Sequence, residues 1–137
     1  MKQLKLVWQD EFNYTGKPDS TKWSYDVGAR KWGNGEIQYY TEGNNVEVKD
    51  GKMVLIGKIE PYLDSPYTSC RMTTYQKRHF QYGRIEVRAK VPTSGGSWPA
   101  IWLLPVDFKE QKVGWPACGE IDIMEHVTHL IDRKSVV

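Results

Sequence analysis

Cysteine is scarce in this sequence, whose 137 residues contain only Cys70 and Cys118. Two widely separated thiols provide neither a disulfide framework nor the ligand spacing of a zinc site. The sequence therefore argues against a small disulfide-stabilised domain. We predict that both cysteines are buried free thiols, because unpaired cysteine is among the most buried residue types.

An excess of charge of one sign is also missing. The chain has 19 basic and 17 acidic side chains, a formal net charge of +2, and no run of five like charges. This balance predicts neither a nucleic-acid partner nor an anionic membrane partner. No apolar stretch approaches the roughly 18 residues that cross a bilayer, and no signal-peptide region follows Met1. As written, the chain is expected to stay in the cytosol.

Strong helix formers are few, whereas strand formers are abundant. Alanine, leucine and methionine number 15 together, against 28 valine, isoleucine and threonine residues. Seventeen aromatic residues accompany 12 glycines and 7 prolines. β-Branched and aromatic residues favour strands, and glycine and proline favour turns. The composition predicts an all-β fold, and short strands about ten residues apart favour a sandwich or jelly roll.

Periodicity predicts the individual strands. Apolar and charged residues alternate over residues 82–91, which is the clearest strand prediction, and residues 4–12 form a second candidate. Asp50-Gly51 lies between residues 46–49 and 52–59 and predicts a hairpin with a type I′ turn. Further strands are predicted over residues 70–75, 98–104 and 120–127, a polar loop over 109–114, and no helix anywhere.

Three acids lie within six positions near the end of the chain, at Glu120, Asp122 and Glu125. Strict alternation would put Glu120 and Asp122 on one face of a strand and Glu125 on the apolar face, where an unpaired carboxylate costs several kcal/mol. A β-bulge near Ile123-Met124 would return Glu125 to the acidic face. Two glutamates on one face can reach the roughly 5 to 5.5 Å used by retaining glycosidases. The alternative is a solvated acidic face on an edge strand.

Aromatic residues flank this acidic segment. Trp98 and Trp102 are four residues apart and would share one face of a strand, where flat indole rings can stack on sugar rings. The alternative is that these indoles belong to the core. Similarly, Arg71 is either an ion-pair partner or a hydroxyl-binding group, and Asn34 either binds a ligand or is only a turn residue between two glycines.

His126 and His129 resemble a short metal-binding pair. The alternation of a strand between them and the lack of a third ligand argue against that interpretation. We therefore predict no catalytic metal.

Several segments together resemble glycoside hydrolase family 16, in the form found in laminarinases, which are endo-1,3-β-glucanases. The segment Glu120-Ile121-Asp122-Ile123-Met124-Glu125 resembles the family's active-site motif with its inserted bulge residue. The other matching segments, in the family's order, are residues 6–12, 32–41, 67–71, 82–89 and 98–102. The resemblance covers roughly residues 5–128 and implies a concanavalin A-like β-sandwich jelly roll.

The resemblance implies a role for each matching site residue. Glu120 would be the nucleophile, Glu125 the acid and then the base, and Asp122 the group between them that orients the nucleophile. Asn34, Arg71, Trp98 and Trp102 would bind glucose units. No cofactor would be required, and a structural calcium ion would be compatible with the family. The partner would be a β-glucan polysaccharide, the complete protein a secreted monomer.

The resemblance also predicts that the chain is truncated. Family members exceed 200 residues, so residues 1–131 are expected to be a partial catalytic domain with an unpaired edge and an uncovered apolar face beside the active strand. Residues 132–137 are predicted to be a non-native tail. They can be encoded by GAT CGG AAG AGC GTC GTG, which matches a common sequencing adapter, and the DNA beyond codon 131 tests this hypothesis.

The resulting interpretation is a retaining hydrolase of β-1,3-glucosidic bonds in laminarin-like glucans. The alternatives are a lichenase or another family 16 polysaccharide hydrolase, and a non-catalytic β-glucan-binding jelly roll. A further alternative is that the 137-residue chain is inactive because it cannot close its core.

Overall fold

A computed structural model describes residues 3–29, 32–110 and 112–128. The tail at residues 132–137 and His129 lie outside the described residues. The chain divides into two compact units, Met1–His79 and Phe80–Val137. Each unit is described by itself. In the described residues, no helix is long and apolar enough to cross a membrane.

The described residues of the first unit form seven short strands. They are β1 (Ser24–Asp26), β2 (Gln38–Tyr40), β3 (Val46–Lys49), β4 (Lys52–Leu55), β5 (Lys58–Tyr62), β6 (Ser65–Ser69) and β7 (Arg71–Thr73). Strand β6 lies between parallel β2 and antiparallel β5, whereas β1 pairs antiparallel with β7.

Strands β3 and β4 form the predicted hairpin. Lys49 is paired with Lys52, and the two residues between them, Asp50 and Gly51, have φ angles of 51° and 68°. Positive φ at both central positions is the geometry of a type I′ turn, so this prediction is confirmed. The inward side chains of β3, Val46 and Val48, are buried in the core of this unit.

Buried polar groups next to this hairpin are fully hydrogen-bonded. The Asn45 amide nitrogen donates to the Ile56 carbonyl oxygen at 2.8 Å and to Thr68 Oγ1 at 2.9 Å. Thr41 Oγ1 donates to Asn45 Oδ1 at 2.6 Å. Both Asn45 and Thr68 have 0% exposure, so their hydrogen bonds replace those that water would supply.

The second unit contains β8 (Ala100–Leu103), α1 (Val106–Lys109) and β9 (Ile121–Glu125). Strands β8 and β9 pair antiparallel. The single turn α1 was not predicted, because four residues are too few to show helical periodicity.

The two longest strand predictions outside the acidic segment are wrong. Residues 82–91 form no strand, and their apolar side chains Ile85 and Val87 are exposed. Alternation specifies which side chains share a face, but a strand also needs a neighbour for its backbone hydrogen bonds, and the described residues supply none here.

Residues 4–12 also form no strand, and side-chain hydrogen bonds hold the end of this segment. The Asp10 carboxylate accepts hydrogen bonds from the Phe12 backbone N–H, the Tyr14 hydroxyl and the Trp23 indole N–H, at 2.9 to 3.1 Å. Phe12 has a φ of 55°. Aspartate that bonds to its own backbone competes with strand pairing.

The cysteine prediction is half confirmed. Cys70 is buried, and burial raises the pKa of its thiol from 9.0 to about 11. Cys118 is part-exposed and free, so the prediction of burial was wrong for this residue. It lies in the turn that precedes β9.

Candidate functional site

The strand pair β8–β9 contains the predicted bulge. Ala100 is opposite Glu125 and Ile101 is opposite Met124, but the next residue of β8, Trp102, is opposite Asp122. Ile123 is therefore the extra residue of β9. The prediction of a bulge near Ile123-Met124 is confirmed.

The bulge decides which side chains share a face. Directly opposed residues of an antiparallel pair point to the same side, so Asp122 lies with Trp102 and Glu125 with Ala100. Residues two apart along β8 also share a side, so these four residues occupy one face. Without the bulge, Asp122 and Glu125 would point to opposite faces.

The other face of the strand pair is apolar. Ile101 and Leu103 of β8 lie opposite Met124 and Ile121 of β9. Ile121 is exposed, and within the described residues β9 pairs only with β8. An uncovered apolar face and an open strand edge were both predicted at this position.

Trp98 directly contacts one of the carboxylates. Its indole N–H donates to Glu125 Oε1 at 3.2 Å, and its side chain is exposed. Trp98 is therefore not part of the core. Its indole ring lies beside Glu125, where it can contact both this carboxylate and a bound ligand.

Glu120 immediately precedes β9 and is exposed. Gly119 before it has a φ of 79°, a conformation that side chains disfavour, and this turn brings the chain into the strand. By alternation Glu120 lies on the side of Asp122. The second unit thus holds all three predicted carboxylates together with Trp98 and Trp102.

Arg71 lies in the first unit and has well-defined neighbours. It is directly opposite Asp26 in the β1–β7 pair, and its Nε donates to Asp26 Oδ2 at 3.1 Å. Its guanidinium carbon lies 4.8 Å from the centre of the Trp32 ring, within the range of a cation–π contact. Both predictions for Arg71, ion-pair partner and binding group, are compatible with this arrangement.

A second polar cluster adjoins this arginine. The Glu36 carboxylate accepts hydrogen bonds from the Tyr40 hydroxyl at 2.7 Å and from the Gln38 amide at 2.5 Å. Burial, followed by the hydrogen bond and charge of Glu36, raises the pKa of Tyr40, while the Arg71 charge lowers it. Tyr40 is therefore a neutral hydrogen-bond donor at neutral pH.

Asn34 is exposed in a turn, between Gly33 and Gly35, which both have positive φ. Trp32, two residues before Asn34, lies under the Arg71 guanidinium. Asp26 and Trp32 were not predicted as partners of Arg71. The pairing of β1 with β7 is not encoded in any local motif, so no sequence signal pointed to Asp26.

The described residues contain no group of three or more histidine, cysteine, aspartate or glutamate side chains that could hold a metal ion. No chemical step is assigned to a metal. The possible pairing of His126 with His129 falls partly outside the described residues.

Comparison with known proteins identifies similar sequences and structures. The sequence pattern described as "Glycosyl hydrolases family 16" matches residues 24–134. A beta-glucanase from Rhodothermus marinus is 50% identical over 125 residues, which are 90% of this chain and 44% of that protein. A glucan endo-1,3-beta-glucosidase A1 from Niallia circulans is 40% identical over 89% of this chain and 20% of its own length.

A solved structure shows the same similarity in three dimensions. The catalytic domain of an endo-1,3-beta-glucanase (laminarinase) from Thermotoga petrophila superposes with a TM-score of 0.86 at 42% identity. The match covers 94% of this chain and 54% of that one. The predicted fold class, an all-β jelly-roll sandwich, is confirmed. The chain spans 44% of the length of the R. marinus beta-glucanase and 20% of the length of the N. circulans protein.

Proposed function

Because the chain belongs to family 16 of the glycosyl hydrolases, we propose that the protein hydrolyses β-1,3-glucosidic bonds of laminarin-like glucans with retention of configuration. The observation that supports the proposal most is the bulge at Ile123, which places Asp122 and Glu125 on one face beside Trp98 and Trp102. The names of the N. circulans and T. petrophila relatives support the 1,3-linkage.

The first step of the proposed reaction uses two carboxyl groups. Glu125, protonated, gives its proton to the glycosidic oxygen while the Glu120 carboxylate attacks the anomeric carbon. The bond from that carbon to the leaving oxygen breaks, and a glycosyl ester of Glu120 forms. Asp122, between them on β9, orients the nucleophile by a hydrogen bond.

The second step reverses these roles. Glu125, now a carboxylate, removes a proton from water, and the resulting oxygen attacks the anomeric carbon. The ester bond to Glu120 breaks, which restores both carboxyl groups. Protons and charges balance over the two steps, and the chemistry requires no cofactor.

We propose that Trp98 and Trp102 of the second unit and, separately, Arg71 and Asn34 of the first unit bind glucose units of the polysaccharide. Trp98 and Trp102 flank the carboxylate face and provide flat apolar surfaces for glucose rings. Arg71 and Asn34 provide donors for glucose hydroxyl groups. The exposed carboxylates suit a long solvated polymer, which a closed pocket would exclude.

The proposal is tested by reducing-sugar release from laminarin, using the full-length protein encoded by the gene. We expect release by the wild type and its loss in Glu120→Gln and Glu125→Gln. Glu86→Gln is the matched control, because Glu86 is an exposed glutamate of the same unit that pairs with Arg84. This control should retain full activity.

Three other outcomes would contradict the proposal. Laminarin binding without sugar release by the wild type would indicate a glucan-binding module. Release only from mixed β-1,3-1,4-glucan would indicate a lichenase. Equal activity of wild type and both glutamine variants would place the chemistry elsewhere.

We also propose that the complete protein is secreted, because its proposed substrate is a large polymer, and that it acts as a monomer. Detection of the protein in the culture medium of its source organism, and a monomeric mass by light scattering, would support this. Retention inside the cell would contradict it.

A further inference from the structure

Thr128 fastens a turn of the second unit to the chain just beyond β9. Its carbonyl oxygen accepts the Gly96 N–H at 2.8 Å, and its own N–H donates to the Ser97 carbonyl oxygen at 3.0 Å. Its side chain contacts the same turn, residues 94–97. We call this set of hydrogen bonds the Thr128 clasp.

The side-chain hydrogen bonds of the clasp depend on the hydroxyl group. Thr128 Oγ1 accepts the Ser97 backbone N–H at 2.9 Å and donates to the Ser94 carbonyl oxygen at 2.5 Å. It also lies 2.9 Å from Ser97 Oγ. A hydroxyl group can donate and accept at once, whereas a methyl group of the same size can do neither.

The clasp is contiguous with the contact between Trp98 and Glu125. Trp98 directly follows Ser97, and Glu125 precedes Thr128 by three residues. Between them, the His126 N–H donates to the Pro99 carbonyl oxygen at 3.0 Å. The indole N–H of Trp98 reaches Glu125 Oε1 at 3.2 Å, the long end of the range for such bonds. A small displacement of the turn would therefore break it.

We propose that Thr128 is a positioning residue for the acid/base group: the clasp sets the Trp98 indole N–H against the Glu125 carboxylate and so fixes the direction in which that carboxylate points. The inference rests on the proposed function, in which Glu125 protonates the leaving oxygen. Thr128 itself touches neither the carboxylate nor the substrate in this proposal.

The kinetic test compares two leaving groups in the full-length protein. A sugar leaving group needs a proton from Glu125, whereas 2,4-dinitrophenolate leaves without one. We expect Thr128→Val to lower kcat/KM for laminarin oligosaccharides about tenfold or more. The reason is that a small displacement of a catalytic group lowers the reaction rate steeply. We expect kcat/KM for 2,4-dinitrophenyl laminaribioside to change less than about twofold. Thr128→Ser, which keeps the hydroxyl, should restore the wild-type ratio of the two substrates.

A spectroscopic test examines the clasp without relying on activity. The indole N–H resonance of Trp98, assigned with Trp98→Phe, should exchange with solvent about tenfold faster in Thr128→Val than in wild type or Thr128→Ser. Equal losses on both substrates in a folded Thr128→Val variant, or unchanged exchange of the indole N–H, would overturn the inference. Failure of the wild type to hydrolyse any glucan would instead refute the proposed function, while the exchange measurement would still decide whether the clasp holds Trp98.

Discussion

The two units differ in the burial of the polar side chains that matter most in each. In the first unit, Asn45 and Thr68 are fully buried and hydrogen-bonded, and the Asp26–Arg71 pair is largely shielded from solvent. In the second unit, Glu120, Asp122 and Glu125 are exposed. Removing a buried, satisfied polar group costs folding free energy, whereas removing an exposed carboxylate costs little. The first set should therefore matter to stability, the second to chemistry.

The largest expected effect separates activity from stability in the second unit. Glu120→Gln should lower kcat for laminarin at least about 1,000-fold, since an amide cannot form the glycosyl ester. Its thermal midpoint should stay within about 2 °C of wild type, because the side chain is exposed. Reducing-sugar assays and thermal melts of the full-length protein check this. A large fall in the midpoint would show that the strand uses this carboxylate structurally.

The converse experiment removes a buried amide from the first unit. Asn45→Ala should reduce the free energy of unfolding by about 3 kcal/mol, because the Ile56 carbonyl and the Thr41 hydroxyl lose their side-chain partner and the Thr68 hydroxyl keeps only Glu60. Amide hydrogen exchange of strands β3 and β4 measures the effect. Asn44→Ala is the matched control, since Asn44 is exposed, and should change stability by less than about 0.5 kcal/mol. Similar losses in both variants would contradict the comparison.

Burial in the first unit also predicts a dependence of stability on pH. Because the pKa of Cys70 rises from 9.0 to about 11 on folding, the unfolded chain loses this proton first as the pH increases. The folded state then holds more protons than the unfolded state, so the free energy of unfolding should fall by about 2 kcal/mol between pH 9 and pH 11.

Urea unfolding followed by tryptophan fluorescence measures this slope. Three tyrosines whose pKa is also raised contribute in the same direction, Tyr14, Tyr25 and Tyr40. The difference between wild type and Cys70→Ala isolates the thiol. Cys118→Ala serves as the control and should keep the wild-type slope. An identical slope in Cys70→Ala would show that the thiol ionises as easily in the folded state as in the unfolded chain.

The smallest expected effect concerns the hairpin turn. Gly51→Ala should cost about 1 kcal/mol, because a φ of 68° disfavours a side chain although nothing lies within 4 Å of the added carbon. Gly57→Ala has the same free space but no positive φ, so it should be neutral or slightly stabilising. Hydrogen exchange of β3 and β4 compares the two variants. Equal costs would show that the turn conformation does not control hairpin stability.

Local sequence patterns predicted the features that depend on neighbouring residues. Asp50-Gly51 specified its turn because both residues tolerate positive φ. The spacing of Asp122 and Glu125 specified the bulge because a buried carboxylate is too costly. Both arguments compare energies within a few residues, so no knowledge of the remaining chain was needed.

Sequence patterns failed where a residue distant in the sequence determines the local structure. Residues 82–91 alternate as a strand should, but alternation does not supply hydrogen-bonding neighbours. Residues 4–12 look like a strand until Asp10 is seen to bind the Trp23 indole, 13 residues later. The role of Asp26 beside Arg71 was equally invisible, since 45 residues separate them.

The sequence by itself determined the all-β composition, the family and the order of the three carboxylates, because these depend on residue types and short spacings. Only the tertiary structure decided that Trp98 hydrogen-bonds to Glu125, that Thr128 holds the turn beside it, and that Asp26 faces Arg71. The physical reason is that hydrogen bonds act over about 3 Å, and only strand pairing brings distant residues so close.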